Sequence, residues 1–312
     1  MSTSLSLDGS IVSREGLAAC RLCGEVAAWQ LPKAAQGPLI FRCRECGVAF
    51  ASHSRKSASP ADEDHFGGID EEKYFRSVMA TRLRSYSALL DRVKSQVPGG
   101  KWLDVGCSYG WLLQYVQGQG YAGEGIEPSA AAASRAEQQQ LRVRTGLFPA
   151  ALKVGELFNV ISFMDVLEHF ENPGKAMEAT REHLSPGGVA VIQVPDQACW
   201  LFRVAEGMYR LSGGRISFAL RRLWLEGFDF PHQFYFTRFA LSLVLQQSGF
   251  EILDWQRTSI GHPAEALDRV AYAERGGSRL RSAFVGMSVG LLNAVDNACG
   301  HGGLLTMIAR PR

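Results

Sequence analysis

From residue 101 onward the chain alternates short apolar runs with stretches of helical period. The runs Lys101–Val105, Ala122–Glu127, Val160–Met164 and Val189–Val194 read as strands, and helical segments lie between them near 110–118, 129–139 and 173–184. Two further strand candidates, Phe250–Thr258 and Leu304–Ala309, come late. This alternation predicts a parallel sheet with helices on both faces. Ahead of it, residues 71–97 place Tyr74, Val78, Leu83, Tyr86 and Leu90 near one helical face, and Pro98-Gly99-Gly100 ends the pattern. Near the C-terminus, "AFVGMSVGLLNAV" repeats Phe284, Met287, Leu291 and Val295 at helical spacing and predicts a buried core helix, with a membrane-surface helix as the alternative. No apolar run reaches the length of a membrane-spanning helix.

The punctuation between these patterns divides the chain. Residues 1–19 are rich in Ser and Gly, and "SHSRKSASPADEDHFGG" lacks any apolar period and reads as a linker. The expected organisation is a tail and cysteine-bearing ribbon over 1–60, a linker and N-terminal helices over 61–97, and an α/β domain over 98–312 with an insertion at 197–231.

Charge narrows the partners. The 33 basic and 31 acidic residues leave a net charge of +2, which argues against a large footprint for nucleic acid. Met1 to Ser10 lacks an apolar signal core, so a cytoplasmic chain with reduced thiols is expected. Four of the seven cysteines then form two pairs, Cys20-x2-Cys23 and Cys43-x2-Cys46, each followed by glycine. Two such turns can present four thiolates to one ion. A closed tetrahedral set of sulfurs suits a structural Zn2+. Paired disulfides and an iron centre are the alternatives. His53 is a further ligand by composition only, or else an exposed linker histidine.

The turn "LDVGCSYGWLL" raises a different chemistry. A strand ends at Asp104 and Val105, and Gly106-Cys107-Ser108-Tyr109-Gly110 leads into a helix. Glycines there let a ligand approach bare backbone. The first glycine of a dinucleotide fingerprint is missing, and an acid stands beside the turn. That suits a cationic ligand better than a pyrophosphate. A second acid, Glu127, follows the next strand, where a carboxylate can accept bonds from ribose hydroxyls. Together the two turns describe a nucleoside with a positive centre and no phosphates, as in S-adenosylmethionine. Taken singly, Asp104 could cap the following helix and Glu127 could be a surface acid.

With these motifs the chain from about 71 to 312 resembles a class I S-adenosylmethionine-dependent methyltransferase of the branch that includes ubiquinone, sugar and natural-product enzymes. "LDVGCSYG" is similar to the first motif of that family and "GIEPS" to its ribose-binding acid. "FNVISFMDVLEHFENPGKAMEATREHLSPGGVAVIQVPD" resembles its fourth and fifth strands, "HQFYFTRFALSLVLQQSGFEIL" its late helix and strand, and "GGLLTMIARP" its seventh strand. The resemblance implies a Rossmann-like seven-stranded sheet in the order 3-2-1-4-5-7-6. It implies that Asp104, Gly106, Cys107, Ser108 and Gly110 line the methionine end of the donor, that Glu127 holds the ribose, and that Leu147 and Phe148 lie near adenine. Where the family often carries an acid for the adenine amine, this chain has "GLFP". Met164 and Asp165 would end the fourth strand close to the transferred methyl, and Tyr74 would lie over the donor or pack on its helix face. The family keeps Glu168-His169 whatever its substrate, and the dipeptide reads either as a solvated helix start or as part of the site.

The acceptor needs a base near the C-terminal strand ends. His232, in "FDFPHQFYFT", is the first candidate, because histidine titrates near neutrality; it could instead shape the loop through a backbone bond. Asp229 could orient it or act as base itself. Sugar C-methyltransferases with a zinc-bearing N-terminus place a tyrosine shortly before this histidine, and this chain has Phe228, Asp229 and Phe230. The insertion at 197–231 holds seven aromatics and five arginines. It reads as a lid over an apolar acceptor, or else as a dimerisation surface or plain helical packing. The expected activity is methyl transfer to a small molecule, such as a sugar, natural-product or lipid-linked intermediate. An RNA methyltransferase gripping nucleic acid through its ribbon and a non-catalytic binding module are the competing readings.

Overall fold

A computed structural model describes residues 4–5, 11–12, 17–33, 38–52, 71–226, 230–259 and 279–312. Two sheets organise them. The N-terminal sheet runs β1 (Ser4–Leu5), β2 (Ile11–Val12), β3 (Leu17–Ala18), β4 (Ala28–Gln30), β5 (Leu39–Cys43) and β6 (Ala49–Ser52), each antiparallel to the next. After the long helix α1 (Glu71–Lys94) the second sheet begins. Its strands are β7 (Gly100–Val105), β8 (Tyr121–Glu127), β9 (Arg142–Thr145), β10 (Phe158–Met164) and β11 (Leu184–Pro195). The helices α2 (Trp111–Gln117), α3 (Ala130–Gln138) and α4 (Pro173–His183) connect them. Then come α5 (Trp200–Leu211), α6 (Phe218–Leu223), β12 (Phe234–Tyr235), α7 (Arg238–Gln247), β13 (Phe250–Thr258), α8 (Arg279–Ala298) and β14 (Leu304–Pro311).

The second sheet has the order β9-β8-β7-β10-β11-β14-β13. Strands β7 to β11 are parallel, and β14 runs antiparallel to both β11 and β13. Numbered along the chain within this sheet, that is the expected 3-2-1-4-5-7-6. The order reverses between β7 and β10, so their C-terminal ends form a switch point where open α/β sheets bind ligands.

Local chemistry fixes the helix starts. Asn172 caps α4 by accepting from the Lys175 amide, with Pro173 in the first turn, and Thr237 caps α7 by accepting from the Ala240 amide. The described part of α1 turns Tyr86, Leu89, Leu90 and Val93 inward, while Leu83 stands exposed. The expected core helix near the C-terminus is present as α8, but its orientation corrects the sequence reading. Its buried positions include Gly286, Gly290, Asn293 and Asp296, while Met287 and Leu291 are 59% and 67% exposed. Asp296 accepts from the Trp200 amide at the start of α5, so the described inward face carries a polar contact where the apolar stripe was expected.

β12 joins the two sheets. It is antiparallel to β6, with Phe234 opposite Phe50 and Tyr235 opposite Ala49. Phe41, Phe50, Val48, Phe234 and Phe236 share one packed cluster with Leu103, Val105, Ile161 and Phe163 of the second sheet. The insertion packs on the other face of the N-terminal sheet. Phe202, Tyr209, Leu220 and Trp224 bury themselves against Leu31, Ile40, Ala49, Ala51 and Tyr235. Three of its six described aromatics, Phe202, Tyr209 and Trp224, therefore clamp the ribbon, while Phe218 is exposed.

Candidate active site

The register of β7 and β10 builds the first half of the site. Ser162 lies directly opposite Asp104. Trp102 Nε1 donates to Ser162 Oγ at 2.8 Å, and the Ser162 hydroxyl donates to Asp104 Oδ1 at 2.6 Å. This relay is buried throughout. Burial pushes the Asp104 carboxyl up to about 7, the Ser162 bond opposes the rise, and the nearby Glu127 charge adds to it. The two acids therefore act on each other across the turn.

Glu127 is held from both sides. Its Oε2 accepts from the Ser108 amide and its Oε1 from the Ser129 amide, each at 2.8 Å. Ser108 adopts φ +50°, a left-handed conformation that aims its amide at Glu127. Three further amides of the turn are also used within the protein. Gly106 and Cys107 donate to the Ile126 carbonyl, and Gly110 donates to the Cys107 carbonyl. A turn whose amides are spent in this way is not a phosphate cradle, so the residues agree with a phosphate-free, cationic ligand.

Bare backbone is required at Gly106 and Gly125 as well as at Gly110. Gly106 has φ +70°, and a Cβ there would lie 2.6 Å from Val166 Cγ2. Gly125, in β8 beside Asp104, leaves room for Cys107 Sγ and for Leu113 Cδ1, the latter 2.8 Å from where a Cβ would sit. The Cys107 thiol thus points into packing with Leu113, Ala136 and Leu141, and only its backbone belongs to the turn. Burial holds that thiol well above its ordinary pKa.

The remaining expected donor contacts are spread over three elements. Leu147 is 50% exposed, whereas Phe148 is turned into the core, edge-on to Phe163 at 5.4 Å. Of the pair, only Leu147 offers an open surface. Half-buried Met164 ends β10, and Asp165 follows it at φ +59° with its amide donating to the Gln193 carbonyl. Asp165 Oδ2 stands 3.6 Å from Arg82 Nη2 of α1. Tyr74 lies on α1, and its side chain is outside the described residues, as is all of Asp229.

His232 is brought to the same end of the sheet. It is 8% exposed and its amide donates to the Trp224 carbonyl. Its ring lies 4.8 Å from the ring of His169 and meets Tyr235 edge-on at 5.3 Å. His169 Nδ1 lies 3.3 Å from the Pro231 carbonyl, an oxygen that can only accept, so Nδ1 carries the proton in this contact. Glu168, expected at a solvated helix start, is fully buried instead, because Gln233 donates to its backbone carbonyl and β12 covers the turn.

The four ribbon thiols come together as expected. Cys20 Sγ and Cys46 Sγ are 3.7 Å apart, as are Cys23 Sγ and Cys43 Sγ, and no cysteine is in a disulfide. Four sulfurs at bonds of about 2.3 Å around a tetrahedral ion would be separated by about 3.8 Å. The Leu22 amide donates to Cys20 Sγ. The hydrogen bond between Cys20 and Cys46 lowers the Cys20 thiol and raises that of Cys46, so the two sulfurs share one proton between them. All four can hold one ion.

The ribbon also reaches the histidines. Arg21, between Cys20 and Cys23, donates to the Ala51 carbonyl at 2.8 Å, to Gln233 Oε1 at 3.1 Å and to the Glu171 carbonyl at 3.2 Å. Its guanidinium lies 5.0 Å from the centre of the Phe234 ring. Thr237 donates to the Cys46 carbonyl at 3.0 Å. Neither Arg21 nor Ser162 stood out in the sequence; the one signal for Ser162 was a hydroxyl inside the apolar run "FNVISFM".

Comparison with known proteins agrees with this geometry. A family model described as a methyltransferase domain matches residues 75–254, more than half of the chain. A ubiquinone biosynthesis O-methyltransferase of Psychrobacter cryohalolentis is 34% identical over 125 residues, covering 36% of this chain and 48% of that protein. One from Azorhizobium caulinodans is 26% identical over 113 residues, covering 34% and 45%. The chain thus matches about half the length of these curated relatives. Among solved structures, the cyclopropane synthase MmaA2 from Mycobacterium tuberculosis superposes with a TM-score of 0.54 at 15% identity, covering 81% of this chain and 95% of that one. At that identity the likeness shows a shared fold.

Proposed function

Because this chain belongs to the methyltransferase-domain family and carries the class I S-adenosylmethionine-dependent fold, we propose that it transfers a methyl group from S-adenosylmethionine to a small-molecule acceptor. The observation that carries this reading is the pair of buried acids, Asp104 and Glu127, around a turn whose amides are engaged within the protein. Glu127 would accept from the ribose hydroxyls, and Asp104 would face the cationic methionine end. Leu147 would lie against adenine, and Met164 and Asp165 would border the transferred group. The donor supplies a methyl already activated by its sulfonium. What the protein adds is alignment and a place for the acceptor's proton. His232 is the residue for that proton, set beside the C-terminal ends of β10 and β11.

The four-cysteine cluster would hold a structural Zn2+, closed to substrate by four protein ligands. Insertion helices cover the outer face of the ribbon sheet, which favours a small acceptor over RNA gripped by that face. Two variants test the roles separately. Glu127→Ala is expected to weaken donor binding by about 1–3 kcal/mol in calorimetry; unchanged affinity removes its ribose role. His232→Ala is expected to leave donor affinity intact and slow turnover about 100-fold. Full turnover on the acceptor would make His232 structural.

A further inference from the structure

Glu168 is the most unusual side chain in the described residues. It is 0% exposed, and neither carboxylate oxygen has a hydrogen-bond partner. Burying such a group without partners is costly, so its surroundings should give it something to do. Those surroundings are two imidazoles. Glu168 Oε1 stands 3.9 Å from His232 Nε2 and 4.0 Å from His169 Nε2. The two rings come from different elements, the turn after β10 and the segment before β12, and converge on one oxygen.

We propose that Glu168 is the positioning residue of the site, a shared carboxyl that orients His169 and His232 and balances the charge His232 gains when it takes the acceptor's proton. The assignment rests on the reading of His232 as base. In that step the acceptor's lone pair forms the bond to the methyl carbon as the carbon–sulfur bond breaks. The acceptor's proton goes to His232, and the donor leaves as a neutral thioether. His169 then has a distinct part. With Nδ1 turned to the Pro231 carbonyl, its Nε2 is directed at Glu168 and limits where that carboxyl can swing. A carboxylate within about an ångström of hydrogen-bonding distance needs only a small closure to reach either ring. Besides the two histidines, Asp165 and Tyr235 act on Glu168 electrostatically; burial and Asp165 disfavour its charge, so the carboxylate forms as the counter-charge to an imidazolium beside it.

The test reads the imidazoles directly and needs no acceptor. Nitrogen-15 spectra of the full chain, loaded with S-adenosylhomocysteine, should show His232 in one tautomer. Its pKa should exceed the ordinary histidine value of about 6.5. In Glu168→Gln that pKa should fall by at least one unit, a tenfold change in proton affinity, while S-adenosylhomocysteine affinity stays within twofold. An unchanged His232 titration in Glu168→Gln would overturn the proposal. If that variant does not fold, the wild-type titration decides, because a His232 pKa at or below the ordinary value overturns it equally. Micromolar Mn2+ that broadens both imidazole signals in the wild type would identify a metal centre and overturn it too. Failure of the base reading is distinguishable, since His232→Ala with full turnover removes the base while leaving the wild-type titration of the pair intact.

Discussion

At the scale of single residues, the site is governed by what burial does to carboxylates. Asp104 has its pKa raised from an ordinary 3.8 to about 7. The fold therefore favours the neutral acid. Its contribution to stability is fully present below pH 3.8 and is lost as pH rises through 7. A cationic donor reverses the preference and favours the ionised form. Donor binding at about pH 6.5 should release a proton, and affinity should fall as pH drops below about 7. Calorimetry at that pH in two buffers of different ionisation enthalpy would read the proton, and identical heats would sink the prediction. The sequence exposed part of this arrangement. An acid at a strand end followed by spaced glycines marked Asp104, Gly106 and Gly110, and the second-strand acid marked Glu127. Ser162, Glu168 and Arg21 were not legible, because their importance comes from register and convergence. Ser162 matters only once β10 lies against β7, and Glu168 only once β12 folds over it.

At the scale of elements, the parallel strands β7, β8, β10 and β11 were legible as short runs with apolar positions, set between helical stretches. β9 was not: its residues, Arg142-Val143-Arg144-Thr145, are mostly polar, half-buried or exposed, and stay in the sheet through edge pairing with β8. Arg144 pairs with Glu124 of β8 and with Glu156, which fastens that edge. α8 was found but turned the wrong way, since the sequence shows the apolar stripe and not the Asp296 contact on its inward face. One prediction belongs here. Gly125→Ala should destabilise the protein by about 1–3 kcal/mol, because the new methyl meets Cys107 and Leu113 in a packed layer. Chemical denaturation would measure it, and a variant as stable as the wild type would show that the layer can relax.

For the whole molecule, the informative junction is the antiparallel pairing of β6 with β12. Removal of the proposed Zn2+ should therefore be felt beyond the ribbon. A strong chelator is expected to lower the melting temperature of the full chain, with recovery on adding Zn2+. It should also disturb the His232 signals, since Arg21 and the Cys46 carbonyl bind the segment that carries this histidine. Melting followed by fluorescence and the same imidazole spectra would check both, and a chelated protein with unchanged spectra would confine the metal's role to the ribbon. No described helix is long and apolar enough to cross a membrane.

That junction also decides how the gene can be cut. A chain begun at residue 71 would strip β12 of its neighbour and leave a bare strand edge flanked by Phe234 and Phe236, an invitation to clumping. Chimeras that graft a foreign ribbon would need to bring residues 231–237 along with it, because one strand of the ribbon sheet, β12, is encoded far away in the gene from the strand it pairs with.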